Sequence, residues 1–373
     1  MSAGLRLAAL VAALALAACS QPPEPCRIGY DIGSSGIRVG SAAGDLDGRV
    51  SIDYLTDVWA DGVIDQTGDA TVEALRRLAG GRSCLAVAGG YSAWRLAADQ
   101  GGPDRLADTL AGLHARTGVA VFVMPQAVEA GYGYYAARQQ LGGRLDTPYI
   151  LDIGGGSMQF AAATGGWGTA LGQKAWRKMF CAKVKGSAEA ECAANPVGAD
   201  AVARTHAILG GVVDEARQAL GSGFAVTAVS APVVRGIHPV LLGLAARSPE
   251  LAGHVDSDGF DRIALQRAVA GLAGLTDPAI VARLDGCAGR EGPPECALRF
   301  VGSVVTDMLM VEAFMAGLDI PRMRVAQVEL TNVAGILADS RAAAWAGRYA
   351  CYLDRLRRQG IDAYLSDPAG CSP

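Results

Sequence analysis

The chain has 373 residues, enough for two domains with full-sized cores. Its formal net charge is −4 at pH 7, which excludes a nucleic-acid binder that works through bulk positive charge. A polyanion would have to meet a local basic patch.

Residues 1–18 read as a bacterial lipoprotein signal peptide. Arg6 supplies a positive start, Leu7 to Leu16 an apolar run too short to span a bilayer, and Leu16-Ala17-Ala18-Cys19 matches the cleavage box. Cleavage before Cys19 would leave a lipidated N-terminus, followed over residues 19–25 by a stiff, proline-rich tether. The expectation is a periplasm-facing protein held to the membrane through this lipid alone, with Ser20 favouring the outer membrane. The chain has nine cysteines, and removing Cys19 leaves an even set suited to an oxidising compartment. Cys181 with Cys192, Cys287 with Cys296, and Cys351 with Cys371 are local pairs. Cys26 and Cys84 each begin an apolar run and are expected to tie the starts of neighbouring strands. Zinc is disfavoured, because the sequence has no C-x-x-C pair and only four histidines.

From Cys26 to about Ala60, RIGYDIG, GIRVGSAA and RVSIDYLT predict a meander of strands. Helical spacing follows over 70–78, a buried strand over 83–90, helices over 92–96 and 103–114, a strand over 119–124, and a helix from about Ala127 to Gln140. This is the order of an α/β domain. Tyr149 to Ala163 gives a strand, a glycine turn and a second strand, and Pro196 to Leu220 contains a helix. Phe224 to Ser230 is a buried strand, and 231–296 is mostly helix and loop. Ala297 to Leu318 is a very apolar helix, but Arg299, Asp307 and Glu312 interrupt it, so it is expected in a core rather than across a membrane. A strand over 324–329, a short helix over 332–339 and an amphipathic helix over 342–359 complete the chain.

The chemistry gathers at two similar turns. In YILDIGGGSMQF, Asp152 ends a strand and Gly154, Gly155 and Gly156 let backbone N–H groups turn onto a phosphate, while the carboxylate can hold a divalent cation. RIGYDIGSSGIRVG repeats the arrangement with Asp31, Gly33, Ser34, Ser35 and Arg38. Two copies imply two related halves facing one anion. Hydrolysis of a phosphoanhydride also needs a group that deprotonates water. Glu129, just past a strand end and at a helix start, is the candidate; such a position also suits a glutamate favoured only by the helix dipole.

The set DIGSSGIR, AGGYSAWR, VEAGYGYY and LDIGGGSMQF, in this order, resembles the exopolyphosphatase and guanosine-pentaphosphate phosphatase family of the actin-like ATPase superfamily. The resemblance implies an α/β fold of two ribonuclease-H-like domains with a cleft between them, over residues 26–145 and 146–340, with 341–373 packing back on the first. It implies Asp31 and Asp152 beside Mg²⁺ or another divalent cation. Gly33, Ser34, Ser35, Arg38, Arg95, Gly154, Gly155, Gly156 and Ser157 become phosphate ligands, and Glu129 the catalytic base. The implied substrate is polyphosphate, with nucleoside polyphosphates as the alternative and a weakly active polyphosphate- or nucleotide-binding envelope protein as a third reading. The sequence departs from the family in two places. Tyr91 stands where a small hydroxyl residue is expected, and Met158-Gln159 follow Ser157 where Thr-Glu is usual. Gln159 looks like the water-placing glutamine of the ecto-apyrases, so it joins Glu129 as a catalytic candidate.

Lys174, Arg177, Lys178, Lys183 and Lys185 form the densest positive run, which would either guide a polyphosphate tail or serve as a solvated face. Trp167, Trp176, Tyr132 and Tyr134 are available to grip a nucleotide base but are not indicated by their pattern. His206 and His238 are expected to be structural or exposed rather than catalytic.

Overall fold

The computed structural model describes residues 26–65, 67–187, 192–284, 300–328 and 331–372. The signal peptide, Cys19, the tether and the Cys287 and Cys296 pair lie outside these residues.

The chain begins with β1 (Arg27–Gly33), β2 (Gly36–Ser41) and β3 (Asp47–Ser51), then α1 (Tyr54–Asp61), α2 (Gly68–Ala79), β4 (Leu85–Gly90), α3 (Ala93–Gly101), α4 (Pro103–Thr117), β5 (Ala120–Val123) and α5 (Gln126–Leu141). The second half runs through β6 (Tyr149–Ile153), β7 (Met158–Ala162), β8 (Gly165–Thr169), α6 (Gln173–Lys183), α7 (Ala201–Leu220) and β9 (Val226–Ala228). After a π-helical turn come α8 (His238–Ala245), α9 (Pro249–Ala252), β10 (Val255–Asp256), β11 (Gly259–Asp261), α10 (Arg262–Leu272), α11 (Asp277–Arg283), α12 (Val301–Gly317) and β12 (Arg322–Val325). The chain closes with α13 (Val333–Ala338), α14 (Ser340–Ala346) and α15 (Tyr349–Gln359).

The first sheet has the order β3-β2-β1-β4-β5, and the second contains β8-β7-β6-β9-β12 with the β11–β10 hairpin added beyond β12. Within each five-strand unit the first three strands are an antiparallel meander and the remaining pairings are parallel. The two halves thus repeat one topology, the ribonuclease-H-like unit of an actin-like fold. Each sheet supports its own core. Ile28, Tyr30, Ile32, Val72, Leu75 and Phe122 belong to the first, and Leu151, Phe160, Leu209, Met308, Leu309 and Phe314 to the second.

The C-terminal segment packs into the first core through Ala342, Trp345, Tyr349, Tyr352 and Tyr364. Its leading helix, α13, lies against the Gly29–Gly40 cross-strand pair. A Cβ on Gly29 would come within 2.8 Å of Leu337, and one on Gly40 within 2.8 Å of Val333, so larger residues on these strands would push α13 away. Cys26–Cys84, Cys181–Cys192 and Cys351–Cys371 form disulfides. Cys26 and Cys84 sit one residue before the paired residues Arg27 and Leu85, at the starts of adjacent parallel strands.

Several local expectations shift. Residues 54–61 are helical rather than strand, with Tyr54, Leu55 and Val58 turned into the core. The β10–β11 hairpin and β8 were not expected, and β12 starts at Arg322, two residues early. The C-terminal helix is two helices, separated at Gly347 and Arg348. Helix α12 is nearly all buried, Asp307 and Glu312 included, and among the described residues no helix is long and apolar enough to cross a membrane.

Candidate active site

The C-terminal ends of β1, β4 and β5 come together, and the turn after β6 faces them. Hydrogen bonds prolong the pairing past the strands, from Tyr91 N–H to the Ile32 carbonyl and from Met124 N–H to the Gly90 carbonyl, each 3.0 Å. The first serine turn, the Tyr91-Ser92 junction and the N-terminus of α5 therefore share one edge. Asp31 is buried at 7% exposure, and its Oδ2 accepts from the Asn332 N–H at 2.9 Å and from the Thr331 hydroxyl at 3.3 Å. Burial raises its pKa, while Arg38, its cross-strand partner, opposes the rise.

The glycine turn meets the first half directly. Ser34 Oγ lies 2.7 Å from a Cβ built on Gly155, and Ser92 Oγ lies 2.4 Å from one built on Gly156. These glycines are required by close approach as well as by any bound phosphate. Gly154 donates its N–H to the Ser157 carbonyl at 2.9 Å, and its own carbonyl accepts from Gln173 N–H at 2.8 Å. The Gly155 carbonyl accepts from Lys174 N–H at 2.8 Å, so the start of α6 buttresses the turn. Ser92 adopts φ 49°, a left-handed conformation uncommon outside glycine, which aims its hydroxyl across the interface.

Glu129 lies in the first turn of α5, with Gln126 three residues earlier. Gln126 Nε2 donates to the Met158 and Thr169 carbonyls at 3.3 Å each, tying the start of α5 to β7 and β8 of the second half. Ala130, Tyr134 and Ala137 continue this contact against Ile150 and Ala161. Glu129 is 8% exposed, and its Oε2 lies 2.7 Å from Arg95 Nη2. Burial raises its pKa, Arg95 pulls it down, and Asp31 adds to the rise. Asp152, half-buried, is pushed up to about 7 by burial first and then by Glu129, with Asp31 adding and Arg38 opposing. Asp31 thus raises the proton affinity of both Glu129 and Asp152, Glu129 raises that of Asp152, and exposed Arg38 opposes the rise at the two aspartates.

Arg95 has a different place from the one expected. Its Nη1 donates to the Met124 carbonyl at 3.0 Å and its Nη2 faces Glu129, so it positions the glutamate instead of presenting itself to phosphate. Ser35 and Arg38 are exposed at the rim, while Ser34, Gly156, Ser157 and Gln159 are buried at the contact. Gln159 is the cross-strand partner of Asp152, donates to Ser157 Oγ at 3.3 Å, and neighbours Glu129, whose pKa its amide lowers. Met158 points to the opposite face, 1% exposed in the second core, so its departure from Thr alters packing rather than the cleft.

The basic run is built into helix contacts. Lys174 pairs with Asp53 at 2.8 Å, Lys178 lies 4.5 Å from the Trp59 ring centre, Arg177 donates to the Cys192 carbonyl and Lys185 to that of Pro196. Trp176 is buried and donates to the Thr306 carbonyl, and Tyr132 bonds to Asp339. Neither is placed to grip a base. His206 pairs with Glu312, and His238 faces the Asp256 carbonyl.

Sequence reading missed Gln126, whose amide fixes α5 on the second half, and the Gln173–Asp307 bond at 2.6 Å that braces the glycine turn from α12. The 3.6-residue pattern of α12 broken by an acid was the available signal for Asp307.

Asp31 and Asp152 fit a divalent cation. Both carboxyls are held above their ordinary pKa, Asp152 partly by Asp31, and a cation would relieve this; Mg²⁺ is commonly bound by one or two carboxylates completed by substrate phosphates and water. No cluster of three or more acidic, histidine or cysteine ligands occurs among the described residues.

The fold is that of actin-like proteins with two ribonuclease-H-like halves. Within that class it is similar to the PPX-GPPA enzyme of Aquifex aeolicus, with a TM-score of 0.59 at 13% identity over 84% of this chain and 98% of that one. An exopolyphosphatase from Cytophaga hutchinsonii gives a TM-score of 0.56 at 13% identity over 84% and 96%. An exopolyphosphatase-like protein gives 0.53 at 18% identity over 87% and 99%. No family model matches the sequence. An uncharacterized protein of Streptomyces coelicolor is 33% identical over 144 residues, 36% of this chain and 42% of that protein. The match thus spans less than half of the Streptomyces protein.

Proposed function

We propose that the protein is a phosphoanhydride hydrolase that releases the terminal phosphate of polyphosphate. The observation that carries this reading is the convergence of Glu129, Asp31 and Asp152 on the serine and glycine turns of two similar halves. A divalent cation held by Asp31 and Asp152 would neutralise phosphoryl charge. Arg38 at the rim and the turn residues Gly33, Ser34, Ser35 and Gly154 to Ser157 would hold the terminal phosphates. Glu129 takes a proton from water as the water oxygen bonds to phosphorus. The bridging P–O bond breaks and its electron pair leaves with the shortened chain. Burial, by raising the proton affinity of Glu129, makes it a better base than an exposed carboxylate, and Arg95 keeps it oriented. The likeness of the fold to an exopolyphosphatase and an exopolyphosphatase-like protein supports this reading.

Gln159 supports a second reading, apyrase-like hydrolysis of nucleoside tri- and diphosphates, because a glutamine beside Glu129 can orient water without adding a fourth carboxylate. The lipidated N-terminus at Cys19 would place either activity at the envelope. A phosphate-release panel decides between them. The first reading expects turnover of polyphosphate with Mg²⁺, Mn²⁺ or Ca²⁺ well above that of ATP or ADP, and the reverse ranking selects the second. Binding of both ligand classes without phosphate release would make the protein a sensor instead of an enzyme.

A further inference from the structure

The first core contains a set of buried tyrosines, and one stands apart. Tyr54 bonds to Thr71 at 2.9 Å, Tyr349 to the Val121 carbonyl at 2.9 Å, Tyr352 to Val123 N–H at 2.8 Å, and Tyr132 and Tyr364 to Asp339 at 2.6 and 2.9 Å. Tyr91 is 1% exposed, yet its hydroxyl has no hydrogen-bond partner among the described residues. Buried polar groups are nearly always paired, and an unpaired one in a native structure calls for an explanation.

The position of this hydroxyl supplies it. The ring folds back over β4, so the phenolic oxygen lies 2.2 Å from where Gly89 would carry a Cβ. Gly89 is the bridge partner of Asp31 on the neighbouring parallel strand. The Tyr91 oxygen therefore sits beside Asp31, and its strongest charged neighbours are the Asp31 and Glu129 carboxylates. A phenylalanine would fill the same space over Gly89 without bringing an unpaired oxygen between two acids.

We propose that the Tyr91 hydroxyl is the second protein ligand of the water that attacks phosphorus. This rests on the hydrolase reading above. The water gives one hydrogen to Glu129 and points the other at Tyr91 Oη, while the phenolic hydrogen turns towards Asp31. With both hydrogens directed, the water's lone pair faces the phosphoryl group. As its oxygen bonds to phosphorus, the proton passes to Glu129 and the bridging oxygen departs with the bond electrons. Tyr91 keeps its own proton throughout.

The test is Tyr91→Phe in the purified protein, measured by steady-state phosphate release and by thermal melting. A water ligand predicts kcat lower by about tenfold to a hundredfold with KM within about twofold of wild type. It also predicts a melting temperature that is unchanged or raised, since the unpaired buried oxygen is gone. An unchanged kcat overturns the proposal, as does a rise in KM alone, which would put Tyr91 on the substrate. A melting temperature lowered by about 5 °C or more overturns it too, by making the hydroxyl a structural group. Wild-type protein that turns over no phosphoanhydride removes the hydrolase reading and this one together. Active wild type with an equally active variant removes this one alone.

Discussion

The Ser34 hydroxyl of the first half lies 2.7 Å from the point where Gly155 of the second half would carry a Cβ. Gly155→Ala forces that contact apart and displaces one turn from the other. Since a misplacement of about 1 Å at a reacting centre can cost a hundredfold, phosphate release by this variant should fall by at least about tenfold. Ser34→Ala removes the opposing oxygen, so in the double variant the new methyl meets a methyl with more room. Because Ser34 would also hold phosphate, the recovery is read in stability: the melting temperature of the double variant should exceed that of Gly155→Ala. A double variant that melts no higher than Gly155→Ala would mean that the added Cβ does not act on Ser34.

Arg95 and Glu129 are a buried pair, 8% and 10% exposed at their side chains and 2.7 Å apart. Removing one partner of such a pair leaves an uncompensated charge, at about 3–5 kcal/mol, whereas replacing both is close to neutral. Arg95→Met should therefore destabilise the fold by about that amount, and Arg95→Met with Glu129→Gln should recover most of it. Urea unfolding of the wild type, both single variants and the double measures the coupling. Glu129→Gln alone leaves Arg95 without its carboxylate and should lose a comparable amount of stability. Where that variant is still folded it should release no phosphate, and retained turnover would remove Glu129 as the base.

Much of this arrangement was legible in the sequence because it is local. The turns after β1 and β6 combine an apolar run, an aspartate and small residues within a few positions, and Cys26 and Cys84 mark strand starts. The pairing of Arg95 with Glu129 was not legible, because only the adjacency of β4 and β5 brings α3 and α5 together. The β10–β11 hairpin is too short for period-two alternation to show. Residues 54–61 misled in the other direction: the apolar Ile52, Tyr54 and Leu55 continue a strand-like pattern, yet the chain turns after β3 through Tyr54 N–H bonded to the Ser34 carbonyl. The basic run could be read equally as a tail-guiding surface or a solvated face because its partners, Asp53 and Trp59, lie more than a hundred residues upstream.

Asp307 gives the fold a pH dependence. It is fully buried in α12 and its pKa is pushed up to about 7 by burial, with Gln173 and Ser303 opposing; Asp152 is pushed to about 7 as well. Between about pH 4 and 7 the folded protein retains protons that these groups lose in the unfolded chain. Stability should accordingly be greatest at the acid side of that window and fall as pH rises through it. Asp307→Asn keeps an oxygen for Gln173 and cannot ionise, so it should flatten the dependence. Melting temperatures at several pH values between 5 and 8 test this, and an equally steep wild type and variant would assign the slope elsewhere.

The basic helix α6 raises a question of chain length. A surface that guides polyphosphate would bind long chains more tightly than short ones, and neutralising it would raise KM for long chains selectively. Lys178 lies over Trp59 and Lys174 pairs with Asp53, so both cations join α6 to α1 of the first half. A single partly exposed cation–π contact contributes little to stability, about 1 kcal/mol, so Lys178→Ala should fold normally. The ratio of KM for long to short polyphosphate is expected to stay within about twofold of wild type. A selective rise for long chains would show that Lys178 leaves Trp59 to follow the substrate, and would restore the basic run as the path of the polyphosphate tail.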